Sequence, residues 1–210
     1  MKSGKDLNSV ADLDCIADSK DSLTDNFVLI ILSVMRNMEI KARIDDLEEC
    51  QEKASKLCDG QTPILLYQHD TFFRSPRGRL KLRVFKNQSI GIDIELIFYD
   101  RPDCDGPKLC DFHKVNVEDP ENLKKTLALS MGILGEVKKK RILFTYEQTR
   151  IHLDEVEGLG SFMELEVCLR DDQTLEEGQS VVEEIMQKLG IKRSQLVSGA
   201  YMDALLSIRA

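Results

Sequence analysis

The chain has 210 residues, of which 42% are hydrophobic and 31% are charged, a composition typical of one soluble globular domain. Its net charge of -8 argues against a general nucleic-acid-binding protein, because such proteins usually carry a basic excess. The sequence contains no apolar run of the roughly 20 residues that a membrane helix needs. Its six cysteines are scattered and lack zinc-site spacing, which favours free thiols in a reducing compartment, cytoplasmic or nuclear.

Residues 1–34 differ in composition from the rest of the chain. They contain three lysines and six aspartates but no arginine or glutamate. Their apolar run, FVLIILSVM, is too short to cross a bilayer and follows Asp21 and Asp25, where a signal peptide would carry basic residues. We therefore predict a disordered or loosely packed extension over 1–34 and one folded domain over 35–210.

The folded part alternates between strand and helix patterns. Period-two alternation predicts the strands, and acidic first turns, helical spacing and glycine stops predict the helices. In chain order the predicted elements are a strand (38–44), a helix (45–60), two strands (78–85, 92–101), a helix (119–132), three strands (137–146, 149–156, 161–167), a helix (175–190) and a short helix (199–206). Many short strands separated by turn signals predict a mainly β, α+β protein: an antiparallel sheet closed into a barrel, with helices packed outside.

Five of these strands carry charged side chains on one face and, in most cases, apolar side chains on the other. The charged faces comprise Glu39, Lys41 and Arg43; Arg79, Lys81 and Arg83; Lys139 and Arg141; Arg150, His152 and Asp154; and Glu164 and Glu166. For a single strand, a solvated sheet face is the simpler interpretation. However, like charges are clustered by strand in an acidic protein, and adjacent like charges destabilise a solvated sheet. A bound polyanion is therefore predicted.

The acidic residues indicate a metal site. Glu164 and Glu166 lie two apart on one face, and Glu39 and Asp154 could join them in a closed barrel. Carboxylate oxygens suit Mg²⁺ or Mn²⁺, which keep coordination positions for substrate phosphates. An isolated Glu-x-Glu pair is usually only a solvated strand, but together with the basic strands it predicts a metal and triphosphate site.

Several motifs resemble one family over about residues 36 to 201. They are NMEIKAR, RGRLKLR, ELIFYDRPD, VKKKR and RIHLDEVEGLGSFMELEV. Their order is similar to that of the CYTH superfamily, the triphosphate tunnel metalloenzymes, which includes class IV adenylyl cyclases and thiamine triphosphatases. The resemblance implies a closed eight-stranded antiparallel barrel with a charged lumen and helices outside.

The resemblance also implies roles for individual residues. The metal ligands would be Glu39, Glu164 and Glu166, with Asp154 nearby. The triphosphate contacts would be Lys41, Arg43, Arg79, Lys81, Arg83, Lys139, Arg141 and Arg150, with Lys41 and Arg150 taking catalytic roles. Glu95 and Arg101 lie on a matching strand without a clear role, and we expect His152 to be packed and hydrogen-bonded.

One position departs from the family pattern. Asn37 stands where the family's Glu-x-Glu-x-Lys strand begins with a glutamate. An amide oxygen can bind a hard cation but brings no charge, so we expect weaker metal binding. Whether the site holds one metal or two is left open.

The function favoured by the sequence is metal-dependent hydrolysis of a triphosphate compound such as ATP, thiamine triphosphate or tripolyphosphate, because no residue reads as an adenine selector. The alternatives are a class IV-type adenylyl cyclase and a non-catalytic polyphosphate- or nucleotide-binding barrel. Neither a nucleic acid nor a membrane is expected as a partner, and the protein would be a monomer or a homodimer.

Overall fold

The computed structural model describes residues 35–87, 91–104 and 106–209, so the predicted extension over 1–34 lies outside the described residues. Its strands are β1 (Met35–Arg43), β2 (Ile64–Phe73), β3 (Arg79–Asn87), β4 (Gly91–Asp100), β5 (Lys108–Asn116), β6 (Ile133–Tyr146), β7 (Thr149–Val156) and β8 (Gly160–Cys168). Its α-helices are α1 (Leu47–Leu57), α2 (Pro120–Met131), α3 (Leu175–Leu189) and α4 (Tyr201–Arg209). All six strands and four helices predicted from the sequence pattern are present.

The eight strands form a closed antiparallel barrel in the order β1-β5-β4-β3-β2-β6-β7-β8. The predicted barrel and α+β class are therefore confirmed. The register between β1 and β8 places Glu39 opposite Glu166 and Lys41 opposite Glu164. Because successive side chains of a strand point to opposite faces, this register brings charges from neighbouring strands together inside the barrel.

Two strands, β2 and β5, were not predicted from the alternation pattern. In β2, the inward side chains Gln68 and Asp70 lie between the inward Leu66 and Phe72, and all four contact the lumen. Polar and apolar side chains are thus mixed on one face, which removes the period-two signal. The β5 sequence, KLCDFHKVN, is mixed in the same way.

Helix α3 covers the outer face of the barrel at β1 and β8, and α1 covers it at β6 and β7. Val182 and Ile185 of α3 are buried in one apolar cluster with Ile40 of β1 and Leu165 of β8. The alternate residues of β1 and β8 face the lumen instead, so the apolar core lies between the barrel wall and the helices. Of the helices in the described ranges, none has the length and apolarity needed to span a membrane.

The C-terminal segment packs at one end of the barrel. Tyr201, Met202 and Leu205 of α4 are buried against Val137 and other apolar residues of β6, β7 and β8. The segment before α4 is held by a hydrogen bond from the Val197 amide to the backbone oxygen of Lys41. This docking places the ring of Tyr201 against the lumen.

Candidate functional site

The barrel lumen is a cavity of about 300 Å³ whose walls are rich in charge. Within the described part of the chain, eight cationic and five carboxylate side chains line it. The cations are Lys41, Lys81, Arg83, Arg101, Lys114, Lys139, Arg141 and Arg150, and the carboxylates are Glu39, Asp70, Glu95, Glu164 and Glu166. A cationic excess inside an acidic protein concentrates a small anion at this place, because low-dielectric walls focus the field.

One wall of the lumen groups acidic side chains with a histidine. Ligand atoms of His152, Glu164 and Glu166 all lie within 4.8 Å of one another. The His152 Nδ1 atom is 3.7 Å from Glu166 Oε1 and 3.9 Å from Glu164 Oε2. This atom is buried and has no hydrogen-bond partner among the described residues. One imidazole nitrogen and two carboxylates together form a donor set that fits a divalent cation.

Burial and the neighbouring cations set the ionisation of this wall. Burial raises the pKa of Glu166, but His152, Arg150 and Arg141 outweigh it and lower that pKa to about 2. For Glu164, burial also raises the pKa, and Lys41, Lys139 and Arg141 hold it well below the ordinary value. Burial, followed by the charge of Arg141, lowers the pKa of His152. At neutral pH the wall therefore presents two carboxylates and a neutral imidazole.

On the facing wall, Asp70 fixes two cations. The Arg83 guanidinium donates to both Asp70 oxygens at 2.7 Å, and Lys81 Nζ donates to Oδ2 at 3.0 Å. Burial raises the pKa of Asp70, but Arg83 and Lys81 outweigh it and hold this pKa far below its ordinary value. The carboxylate is thus ionised and orders the two cations against the lumen.

Arg101 links the acidic wall to the C-terminal segment. Its Nε lies 2.8 Å from Glu39 Oε1, and its Nη2 donates to the Gly199 backbone oxygen at 3.0 Å. Its Nη1 is buried and has no hydrogen-bond partner in the described parts of the chain. Burial raises the pKa of Glu39, and the charge of Arg101 opposes this rise. An unsatisfied guanidinium nitrogen in the lumen is a donor ready for an anion.

Asp154 lies behind the lumen wall. Its side chain is fully buried and accepts hydrogen bonds from Lys139 Nζ at 2.7 Å, Arg141 Nε at 2.6 Å and the Tyr201 hydroxyl at 3.0 Å. It is not among the residues that line the cavity. We therefore leave Asp154 out of the metal set inferred from the sequence, because its oxygens are already used in orienting Lys139 and Arg141.

Two predicted triphosphate contacts, Arg43 and Arg79, do not line the cavity. Arg43 is exposed, donates to the Leu159 backbone oxygen at 3.0 Å and lies over the Phe162 ring. Arg79 donates to carboxylates of Asp103 and Asp203 at 2.7 Å. Both lie at the end of a strand, where a side chain on the inward face of the strand no longer reaches the lumen. We therefore leave both out of the proposed triphosphate set. The remaining predicted cations all line the cavity.

The lumen also contains residues that sequence reasoning did not single out. They are Gln68, Asp70, Tyr99, Cys110, Lys114 and Tyr201. Most belong to the two strands without clear alternation or to the C-terminal helix. Asn37, by contrast, is buried where it was expected, in register with Cys110 on β5 and Cys168 on β8. Asn37, the residue that departs from the family pattern, therefore lies inside the lumen.

Comparison with known proteins agrees with this geometry. The sequence profile of the CYTH domain matches residues 35–201. The chain belongs to the CYTH family. A protein of Methanocaldococcus jannaschii, provisionally named an adenylate cyclase, is 27% identical over 181 residues, which cover 80% of this chain and 98% of that protein.

Solved structures share the CYTH fold of this chain. A Pyrococcus horikoshii protein has a TM-score of 0.68 at 24% identity, with 80% of this chain and 98% of that one covered. A Hippeastrum protein, provisionally named an adenylyl cyclase and showing a dominant triphosphatase activity, has a TM-score of 0.57 at 18% identity, with 82% and 96% covered. At these sequence identities, the structural similarity shows a shared fold and nothing more.

Proposed function

We propose that this CYTH protein is a metal-dependent triphosphatase that binds a triphosphate compound in the barrel lumen and hydrolyses it. The observation that carries the proposal is the facing arrangement of the two walls. The Asp70-ordered cations face the cavity on one side, and the carboxylates Glu164 and Glu166 with His152 face it on the other, where the unsatisfied Nη1 of Arg101 lies beside Glu39.

The cations would bind and orient the triphosphate. Lys81 and Arg83 are already positioned by Asp70, and Lys139 and Arg141 by Asp154. Because these side chains are ordered before any ligand arrives, little reorganisation is needed when charge develops on the phosphate oxygens. Preorganised donors of this kind provide most of the stabilisation in phosphoryl transfer.

The residues of the acidic wall fit a divalent cation. Glu164, Glu166 and His152 would hold it, with Glu39 completing the set across β1, and the oxygen-rich donors favour Mg²⁺ or Mn²⁺. When bound, the metal would supply Lewis-acid polarisation of the phosphate oxygens. Because Asn37 replaces a carboxylate of the family pattern, fewer carboxylates are present, which favours one metal rather than two.

Lys41 and Arg150 are cations of the lumen that contact the carboxylates of the acidic wall. Lys41 Nζ lies 3.2 Å from Glu164 Oε1, and Arg150 Nη2 lies 3.0 Å from Glu166 Oε2. Both side chains line the cavity and would donate to the phosphate oxygens that gain charge. Attack of water on the terminal phosphorus forms a new P–O bond and breaks the bridging P–O bond, so that orthophosphate and a diphosphate compound are released.

The second candidate function is an adenylyl cyclase. It is favoured by the provisional name of the Methanocaldococcus jannaschii relative, which matches 80% of this chain. Here the ribose 3′-hydroxyl would attack the α-phosphorus, with pyrophosphate leaving. The same walls would hold the triphosphate, so the products rather than the site distinguish the two reactions.

The test is product analysis by ³¹P NMR. The purified protein is incubated with Mg²⁺ or Mn²⁺ and, separately, with ATP, thiamine triphosphate and tripolyphosphate, and samples with EDTA serve as controls. The proposal expects orthophosphate release that stops with EDTA. Cyclic AMP with pyrophosphate would instead establish the cyclase, and tight binding without turnover of any compound would establish a non-catalytic binding barrel.

A further inference from the structure

Tyr201, the first residue of α4, brings an aromatic ring into the lumen from one end of the barrel. It is 8% exposed and lines the cavity, and the proposed chemistry gives it no role. Its hydroxyl donates a hydrogen bond to Asp154 Oδ2 at 3.0 Å. The ring packs edge to face against Phe162 of β8, with 5.0 Å between the ring centroids. The hydroxyl and the Phe162 contact therefore fix the position of the ring.

Two lysines of the lumen lie over this ring. Lys41 Nζ is 4.0 Å and Lys139 Nζ is 4.9 Å from the ring centroid, and both distances are within the roughly 6 Å range of a cation–π interaction. Lys41 belongs to β1 and Lys139 to β6, which are not neighbours in the barrel. No strand register therefore sets the distance between the two ammonium groups, whereas the Tyr201 ring contacts both.

The carboxylate contacts of the two lysines do not join them. Lys41 Nζ lies 3.2 Å from Glu164 Oε1, and Lys139 Nζ lies 2.7 Å from Asp154 Oδ2. Each lysine is thus paired with a different carboxylate. The negative face of an aromatic ring attracts ammonium groups, and the attraction is stronger where water is excluded. The ring of Tyr201 can therefore hold both cations at one place in the lumen.

The Tyr201 hydroxyl is not an acid or a base at neutral pH. Burial raises the pKa of this hydroxyl well above its ordinary value, and the charges of Glu164 and Asp154 add to the rise. The phenol therefore stays protonated and bound to Asp154. Any contribution of Tyr201 to triphosphate binding would pass through the side chains that it contacts.

We propose that Tyr201 is a positioning residue of the triphosphate site, whose ring holds the ammonium groups of Lys41 and Lys139 at one place in the lumen, where they bind the same triphosphate. The proposal rests on the proposed function. It adds that the cationic wall is completed by α4 and not by the barrel strands alone.

The first test compares two substitutions in the full chain. Tyr201→Phe keeps the ring, and Tyr201→Leu removes it. Affinity for tripolyphosphate with Mg²⁺ is measured by calorimetry at pH 7. We expect Tyr201→Phe to bind within about threefold of the unmodified protein, because both cation–π contacts remain. We expect Tyr201→Leu to bind about tenfold more weakly, as for two lost cation–π contacts.

Leu205→Ala is the matched control for the docking of α4. Leu205 is buried in the same apolar cluster as Tyr201 but does not line the cavity. The substitution should lower the melting temperature at least as much as Tyr201→Leu, because it removes buried apolar groups. It should leave the affinity for tripolyphosphate unchanged. An affinity loss equal to that of Tyr201→Leu would mean that Tyr201 only anchors the helix, and the proposal would be wrong.

The second test is the pH dependence of the affinity, which a purely structural role of Tyr201 would not move. Burial lowers the pKa of Lys139, and losing the ring should lower it further, because the ring favours the charged form. The other charged groups around Lys139 are Asp70 of β2, Arg83 of β3, Arg141 of β6, Asp154 of β7 and Glu164 of β8, and both substitutions retain them. The affinity should therefore fall at a lower pH in Tyr201→Leu. In Tyr201→Phe it should not, because the ring remains.

The outcomes separate this inference from the proposed function. Equal affinity losses in Tyr201→Phe and Tyr201→Leu, or a pH profile that is the same in Tyr201→Leu and the unmodified protein, would overturn the positioning role. Either result leaves the triphosphatase intact if the unmodified protein still binds and hydrolyses tripolyphosphate. If the unmodified protein binds no triphosphate compound, the proposed function itself fails.

Discussion

At the scale of single residues, the lumen pairs buried carboxylates with buried cations. Asp70 and Asp154 each receive hydrogen bonds from two cationic side chains. Buried cations without a counter-ion would repel one another and lose protons or hydration. Each aspartate thus stabilises the charge and the position of a cation pair, as the proposed binding of a phosphate group requires.

The Glu166→Gln variant tests the metal assignment. The amide keeps the size of the side chain but removes a charge from the His152, Glu164 and Glu166 set, so metal-dependent turnover should be lost. The melting temperature should stay close to that of the unmodified protein. Glu155→Gln, on the exposed outer face of β7, is the matched control. Wild-type turnover in Glu166→Gln would refute the assignment.

The Arg83→Ala variant tests the phosphate-binding wall. Arg83 faces the lumen and makes a bidentate contact with Asp70, so its loss removes a charge-assisted donor. We expect triphosphate binding to weaken by about 1.5–3 kcal/mol, measured by calorimetry with tripolyphosphate. Arg77→Ala, an exposed neighbour on the approach to β3, should leave the affinity unchanged. Unchanged affinity in Arg83→Ala would show that the phosphates bind elsewhere.

Because of Lys139, we expect the affinity for tripolyphosphate to fall as the pH rises. Burial, together with the charge of Arg141, lowers the pKa of Lys139 to about 8. Below this pH its ammonium group contributes to anion binding, and above it the charge is lost. Affinity for tripolyphosphate should therefore fall between pH 7 and 9.5, by up to about tenfold per pH unit above the pKa.

Lys139→Arg is the control for this pH dependence, because a guanidinium stays charged throughout the range. The decrease caused by Lys139 should disappear in the variant, and only the titration of the ligand and of Lys81, whose pKa is also lowered by burial, should remain. Identical profiles for the two proteins would contradict the role of Lys139.

At the scale of secondary-structure elements, a strand could be predicted from the sequence where charged and apolar residues alternate strictly. In β3, Lys81 and Arg83 alternate with Leu80 and Leu82, so the strand and its inward face could be read from the sequence. In β2, Gln68 and Asp70 share the inward face with apolar residues, and the strand was missed together with these two side chains of the lumen. The position of Tyr201 also could not be predicted, because it depends on how α4 docks on the barrel rather than on local pattern.

The capping of α3 supplies an element-scale prediction. Thr174 accepts a hydrogen bond from the Glu177 amide, and the Glu177 side chain accepts one from the Thr174 amide, forming a capping box. Thr174→Ala should lower the free energy of unfolding by about 1 kcal/mol, measured by urea denaturation. Triphosphate affinity should not change, since α3 packs on the outer face of the barrel. Ser180→Ala on the exposed side of α3 is the control.

At the scale of the whole molecule, charge is divided between the interior and the exterior. The chain carries a net charge of -8, yet cations outnumber carboxylates along the lumen within its described residues. Under the proposed function, we expect the negative exterior to disfavour long polyanions such as nucleic acids, and we expect a small triphosphate to enter the barrel and meet the cationic walls.

The most direct test of this account is a crystal structure with Mn²⁺ and an ATP analogue whose β,γ-bridge cannot be hydrolysed. We predict an anomalous Mn²⁺ peak between His152, Glu164 and Glu166, with the phosphates in contact with Arg83 and Arg101. A metal peak away from these carboxylates, or phosphates bound outside the lumen, would contradict the account.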